Sequence, residues 1–316
     1  MNKDIYKFLA NLLRLISYSI LTLLFMFIFG ISIVGNQYED NYNASLIDKV
    51  ERLKSINAPK IILVGNSNLA FGMDSEMLKD AMNMPVVNLG LHGGLGNAFH
   101  ENIAKLNINS GDIIIICHST YLDDNRISDI ELCWITLEYH RDLWSILRPG
   151  EYLDMVMAFP KYWLKSLVRR VFSMKTKTIP TAYSREAFNK YGDIVIKPDT
   201  KFESKVFRNQ KVPEVNNTCT ERLNAFNSYA EKKGATLLIA GYPIGYGKYS
   251  PPDEEYDKFQ IKLVEELDCD VISDFRDYFM PYSYFYDSTL HLNEEGTRIR
   301  TQQLIKDIKR WQKDRK

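Results

Sequence analysis

Over 316 residues, 40 basic and 40 acidic side chains cancel, so the charge balance marks out no nucleic acid or other strongly anionic partner. Aromatic residues make up 12%, with 19 Tyr and 16 Phe, far more than a disordered chain carries. The five histidines and four cysteines (Cys117, Cys133, Cys219 and Cys269) form no C-x-x-C, H-E-x-x-H or mixed cluster, so no metal site is expected. Buried thiols are the expected state of the cysteines, with one disulfide left open if the chain folds outside the cytoplasm.

The first element is Leu15–Val34, an uncharged apolar run of 20 residues. As a helix it spans about 30 Å, the thickness of a bilayer's hydrocarbon core. A cleaved signal peptide would have a shorter apolar region ending in small residues, whereas Phe25 to Phe29 is bulky and no good cleavage site follows Gly30. The run is therefore expected to be an uncleaved anchor. Lys3, Lys7 and Arg14 precede it, and Glu39 and Asp40 follow it. That asymmetry puts residues 1–14 in the cytoplasm, the anchor at 15–34 and everything beyond on the far side of the membrane.

Residues 35–58 read as a linker with a short helix, and 59–316 as one α/β domain. Lys60–Val64, Pro85–Leu89 and Asp112–Cys117 are short apolar runs bounded by turn residues, the pattern of buried parallel strands. Asp74–Met82 and Leu95–Leu106 between them are helical in pattern. The alternation resumes with a helix at Glu221–Lys233, a strand at Thr236–Ala240, a helix at Asp253–Leu267, a strand at Val271–Phe275 and a terminal helix at Asn293–Trp311. Strands alternating with helices predict a three-layer α/β/α sandwich around a mainly parallel sheet, with its site beyond the carboxyl ends of the strands. Residues 121–215 break the rhythm. They interleave Trp134, Tyr139, Trp144, Tyr152, Phe159, Tyr162, Trp163 and Phe172 with Arg141, Lys161, Lys165, Arg169, Arg170, Lys175 and Lys177. This is a partly helical insertion, and three roles stay open for it: a packed cap, a wall of the site, or contact with the membrane surface or a membrane partner.

Two distant pieces carry the chemistry. Ser67 follows the first strand in Gly65-Asn66-Ser67-Asn68, where Gly65 permits close approach of backbone or substrate. Asp287 and His291 sit four apart in the loop before the last helix, which Asn293 can cap and Glu294 and Glu295 favour at its positive end. Such a loop can offer a carboxylate to one imidazole nitrogen while the other faces Ser67, so that the imidazole takes the serine proton as the hydroxyl attacks a carbonyl. Ser67 N–H and Gly90 N–H are candidate oxyanion donors. Gly90, Gly93, Gly94 and Gly96 do not form a phosphate loop, and nucleotide binding is not expected.

These motifs resemble the SGNH, or GDSL-like, hydrolase superfamily over about 60–120 and 221–310. Gly65–Asn68 is similar to its first block, Asn88-x-Gly90-x-x-Gly93 to its second, and Asp287 with His291 to its last, where the usual spacing is three rather than four. The resemblance implies Ser67 as nucleophile, His291 and Asp287 as its partners and Gly90 as an oxyanion donor. The third block departs: Cys117-His118-Ser119-Thr120 stands where the family has Gly-x-Asn-Asp, so Ser119, Thr120 or His118 would have to donate instead. Asn66 and Asn68, beside the nucleophile, join these three as candidate substrate-binding residues. With its anchor, the chain resembles the accessory proteins of cell-surface polymer acylation, such as the D-alanine transfer protein of teichoic acids and the alginate acetylation proteins. That likeness implies a serine-dependent acyltransferase or esterase acting on acetyl or similar esters of a cell-envelope glycan, without cofactor, beside a multi-spanning membrane O-acyltransferase. An inactive glycan-binding scaffold and a membrane-tethered lipase or lysophospholipase are the alternatives.

Overall fold

The structure is a computed structural model that describes residues 3–34, 36–122, 127–172, 180–197 and 203–315. Lys175 and Lys177 of the insertion lie outside them. Helix α1 (Lys3–Val34) contains, over Lys3–Gly30, a stretch long and apolar enough to cross a membrane; its most apolar 18 residues are not buried in the protein, while Phe27 and Gly30 near its end touch the folded body. The helix starts twelve residues before the uncharged run, because Ile5, Phe8, Leu9, Leu12 and Leu13 continue its apolar surface toward the N-terminus.

The expected linker is not one. Tyr42–Ser45 is a 3₁₀ turn capped by Asn41, and α2 (Leu46–Ser55) follows it directly. Tyr42, Leu46, Val50 and Leu53 are buried, so this segment belongs to the folded body. The chain then enters β1 (Ile61–Val64), α3 (Ser67–Gly72), α4 (Ser75–Met82), β2 (Val86–Asn88), α5 (Asn97–Ala104) and β3 (Ile113–Ile116). Helix α5 begins two residues later than the sequence suggests. Gly96, at φ +80°, breaks the backbone between a 3₁₀ turn at Gly93–Leu95 and the helix. After the insertion, with α6 (Ile130–Thr136) and α7 (Pro149–Val171), come α8 (Asn217–Lys232), β4 (Thr236–Ile239), β5 (Ile244–Tyr246), α9 (Asp253–Glu266), β6 (Asp270–Val271), β7 (Phe279–Pro281) and α10 (Glu294–Asp314).

Five strands form one parallel sheet in the order β2-β1-β3-β4-β6, while β5 and β7 make a separate parallel pair. The last main strand is shorter than Val271–Phe275. Asp274 caps a 3₁₀ turn at Phe275–Tyr278 and ends it. Successive residues of a strand face opposite sides. Ile62, Val64, Ile114, Ile116, Leu237 and Ile239 pack with Leu53, Ile103, Phe226 and Leu263 from α2, α5, α8 and α9. Ile61, Leu63, Ile113, Ile115 and Leu238 pack with Leu69, Leu78, Leu304 and Ile308 from α3, α4 and α10. Helices therefore cover both faces, which is why these strands read as unbroken apolar runs. Among the described residues of the insertion, Trp134, Leu143, Met155, Phe159 and Tyr162 join the first cluster, and Ala182, Ala187 and Ile194 pack in a smaller one with Tyr42, Phe71 and Tyr286 of the body. All four cysteines are buried and none forms a disulfide.

The chain steps from β1 to one side of the sheet for β2 and to the other for β3. This reversal opens a crevice at the carboxyl end of β1, and Ser67 lies three residues past that end.

Candidate active site

Ser67 opens α3, directly after the Asn66 cap, whose Oδ1 accepts from Asn68 N at 3.0 Å. As the first residue of the helix, Ser67 has an amide with no acceptor inside it. The turn is tight because β1 and β3 converge there. A side chain on Gly65 would meet the Cys117 carbonyl oxygen at 2.9 Å.

On the far side of the crevice, the loop before α10 is closed by an antiparallel bridge between Phe285 and Leu292, with Tyr286 N donating to His291 O at 3.2 Å. That closure accommodates the spacing of four. Asn293 caps α10 through Gly296 N at 3.0 Å, as the sequence suggests. His291 Nδ1 lies 2.7 Å from Asp287 Oδ1 and its Nε2 lies 2.9 Å from Ser67 Oγ. The ionised carboxylate accepts only, so Nδ1 carries the proton and Nε2 is left to receive one from the serine. Phe71, on the next turn of α3, stacks on the imidazole at 4.0 Å between ring centroids, tilted by 20°.

Tyr183 is the site residue that sequence reasoning missed. Its hydroxyl donates to Asp287 Oδ2 and lies 3.4 Å from His291 Nδ1. Burial alone would raise the Asp287 carboxyl, but the bonds from His291 and Tyr183 prevail and hold it below its ordinary value. Burial and the same carboxylate raise the Tyr183 phenol, which keeps it a donor. The insertion is thus divided: α6 and α7 pack on the body, and the segment at 180–197 returns as a wall of the crevice. Arg185 pins that segment through Asp48 at 2.7 Å.

Several other expected site residues serve the scaffold instead. Gly90 N–H does not face the crevice, because it donates to Asn88 Oδ1 at 2.9 Å. A side chain on Gly90 would strike Ala70 N at 2.6 Å, so this glycine exists for close packing against α3. Asn88 is a buried hub. Its Nδ2 donates to Leu69 O at 3.0 Å and Asp193 Oδ1 at 2.8 Å, and its carbonyl receives the Lys49 ammonium at 2.9 Å. Burial draws Lys49 down to about 7, against the pull of Asp193 and Asp48. Asn68 is fully buried. It donates to Asn66 Oδ1 and the Cys117 carbonyl and accepts from Arg300, so it is unavailable to substrate. His118 is also fully buried, 2.9 Å from Glu101 Oε1, and the Arg222 guanidinium reaches the other carboxylate oxygen at 2.8 Å. Besides the Cys117 carbonyl, Ser119 joins the nucleophile turn from the residues after β3, accepting from Asn66 Nδ2 at 2.7 Å. Thr120 is exposed and accepts from its near neighbour Leu122 N at 3.3 Å. His92, exposed on the rim, holds Gly94 N through Nδ1, and partial burial lowers its imidazole.

No family model, curated protein or solved structure matches the chain.

Proposed function

We propose that the chain is a membrane-anchored serine acyltransferase or esterase of SGNH type, acting on acyl esters of a cell-envelope polysaccharide. One observation carries the reading: Ser67, His291 and Asp287, brought together from opposite ends of the sequence, form a continuous hydrogen-bonded relay. The parallel sheet, with its nucleophile just past the first strand and its histidine before the last helix, supports the same family.

In this reading Ser67 Oγ attacks the acyl carbonyl carbon while His291 Nε2 takes its proton. Asp287 steadies the imidazolium. Collapse of the tetrahedral intermediate expels the alcohol, which takes the proton back from His291 and leaves the acyl group on Ser67. A sugar hydroxyl or water, deprotonated by His291, then attacks the acyl-serine and restores the enzyme. We assign the oxyanion to Ser67 N–H and to Asn66 Nδ2, whose second hydrogen is not used by Ser119. The acyl group is taken as acetyl from the resemblance alone. The domain would stand on the non-cytoplasmic face, beside a multi-spanning O-acyltransferase that supplies acyl groups. No step needs a cofactor.

The occupied amide of Gly90 favours, as a second reading, a glycan-holding scaffold with little turnover. One experiment separates the two. The full chain in detergent is incubated with p-nitrophenyl acetate, with and without candidate glycans, and nitrophenol release is compared with that of Ser67→Ala. Enzymatic turnover that disappears in the variant supports the acyl-enzyme. Equal release from both proteins leaves the scaffold.

A further inference from the structure

Helix α7 turns apolar residues both inward and outward. Its inner side is set by Glu151, Met155, Phe159, Tyr162 and Ser166. At about 100° per residue the opposite side is built from Leu153, Val156, Met157, Leu164, Val168 and Val171. All six are exposed, from 42% at Val168 to 74% at Met157. A helix covering a soluble domain places polar residues there. Lys161 and Lys165 stand to one side of the stripe, and both pair with Glu131 of α6.

The position of α7 says what covers this face. Phe27 of α1 packs on Trp134 and Phe159, with ring centroids 6.0 and 4.5 Å apart, and the Trp163 indole donates to the Gly30 carbonyl at 3.2 Å. Gly30 lies four residues before Val34, the end of the uncharged run, a rise of about 6 Å. Helix α7 is thus held level with the last turn of the apolar run, within the roughly 5–10 Å over which an interfacial helix sinks its apolar face. The joint is firm. Arg169 bonds Asp40 at 2.6 Å and lies over the Tyr38 ring, while Tyr38 N and the Tyr162 hydroxyl share the Glu138 carboxylate.

We propose that α7 is an interfacial helix whose outward stripe inserts into the headgroup and acyl boundary of the bilayer that α1 enters. Anchor and domain then form one rigid body seated on the lipid, rather than a domain on a loose tether. This rests on reading α1 as a membrane span.

The test uses the full chain in phosphatidylcholine vesicles, with Met157→Trp and Leu164→Trp made separately at exposed positions. Lys309→Trp, exposed on α10 across the sheet, is the control. Flotation with the vesicles reports α1, and quenching of the added tryptophan, relative to the parent chain, reports α7. At both α7 positions, dibrominated acyl chains should remove at least half of the added fluorescence and aqueous iodide little, with the reverse at position 309. A chain that floats while both α7 tryptophans are quenched by iodide alone overturns the proposal. So does protection from both quenchers, which would show a protein cover, a second copy or a membrane partner. A chain that does not float overturns the span itself and the lipid contact with it.

Discussion

Arg300 and Asn68 are bonded across 232 positions of sequence: the guanidinium holds the Asn68 carbonyl oxygen at 2.5 Å and its side-chain oxygen at 2.7 Å. Asn68 follows the candidate nucleophile, and Arg300 lies on the helix that follows His291. The two halves of the relay are therefore fastened behind the site, by a fully buried fork with a third bond to Gly72 O at 3.3 Å.

Arg300→Lys keeps a charge but loses the planar fork. Leaving buried acceptors unmet costs about 1–3 kcal/mol each, so the variant should lose about 2–4 kcal/mol in urea unfolding. Ester cleavage should fall at least tenfold, because the Ser67 turn is freed from α10. Unchanged stability would show that the fork contributes nothing.

Tyr183→Phe removes one donor from Asp287 and leaves the ring packed against Phe71. The Asp287 carboxyl should rise, and the acid limb of the pH–rate profile should move to higher pH. Turnover should fall about tenfold, the worth of about 1.4 kcal/mol in transition-state stabilisation. A merely structural tyrosine would leave the acid limb where it was.

Gly90→Ala tests close packing against α3. Its new methyl would meet Ala70 N at 2.6 Å, Leu69 Cβ at 2.9 Å and Asn66 O at 3.0 Å. Two of these are backbone atoms around the nucleophile, so the turn must shift. A loss of about 1–3 kcal/mol in unfolding free energy is expected, together with near-complete loss of ester cleavage.

Stability should also depend on pH through Glu101. Burial alone would raise its carboxyl, but bonds from His118 and Arg222 hold it at about 2, against an ordinary 4.5. Because the folded value lies below the unfolded one, the contribution is complete above pH 4.5 and is lost as pH falls toward 2. Glu101→Gln should therefore be less stable than the parent by about 2–4 kcal/mol at pH 7. The gap should narrow steadily below pH 4.5, as followed by urea unfolding.

The sheet was legible because its strands are buried on both faces and need runs such as Ile61–Val64 and Ile113–Ile116. The meeting of Ser67 with His291 was legible because strand ends and helix starts fix where a side chain emerges. What escaped was anything set by contacts between distant loops. Tyr183 sits in a segment whose spacing carries no signal, and its place is set by contacts with distant residues, among them the Arg185 pair with Asp48 and the bridge between Ser184 and Asn41. Asn68 and His118 looked available because they neighbour the site in sequence, but in a turn of this kind successive side chains point to different sides. Gly90 was read as a donor, although the side chain of Asn88 folds back onto its amide. The short helix expected within 35–58 is present as α2, but that Leu46, Val50 and Leu53 join the main core depends on contacts with distant elements that the segment's own spacing does not reveal.

In the proposed reaction Ser67 carries the acyl group. The most direct measurement is mass spectrometry of peptides from the full chain, quenched in acid within seconds of mixing with an activated acetyl ester. A gain of one acetyl group is expected on the peptide containing Ser67, absent when His291 is replaced by Ala. A chain that turns the ester over with that peptide unmodified, or that acetylates it equally without His291, would contradict the proposed reaction.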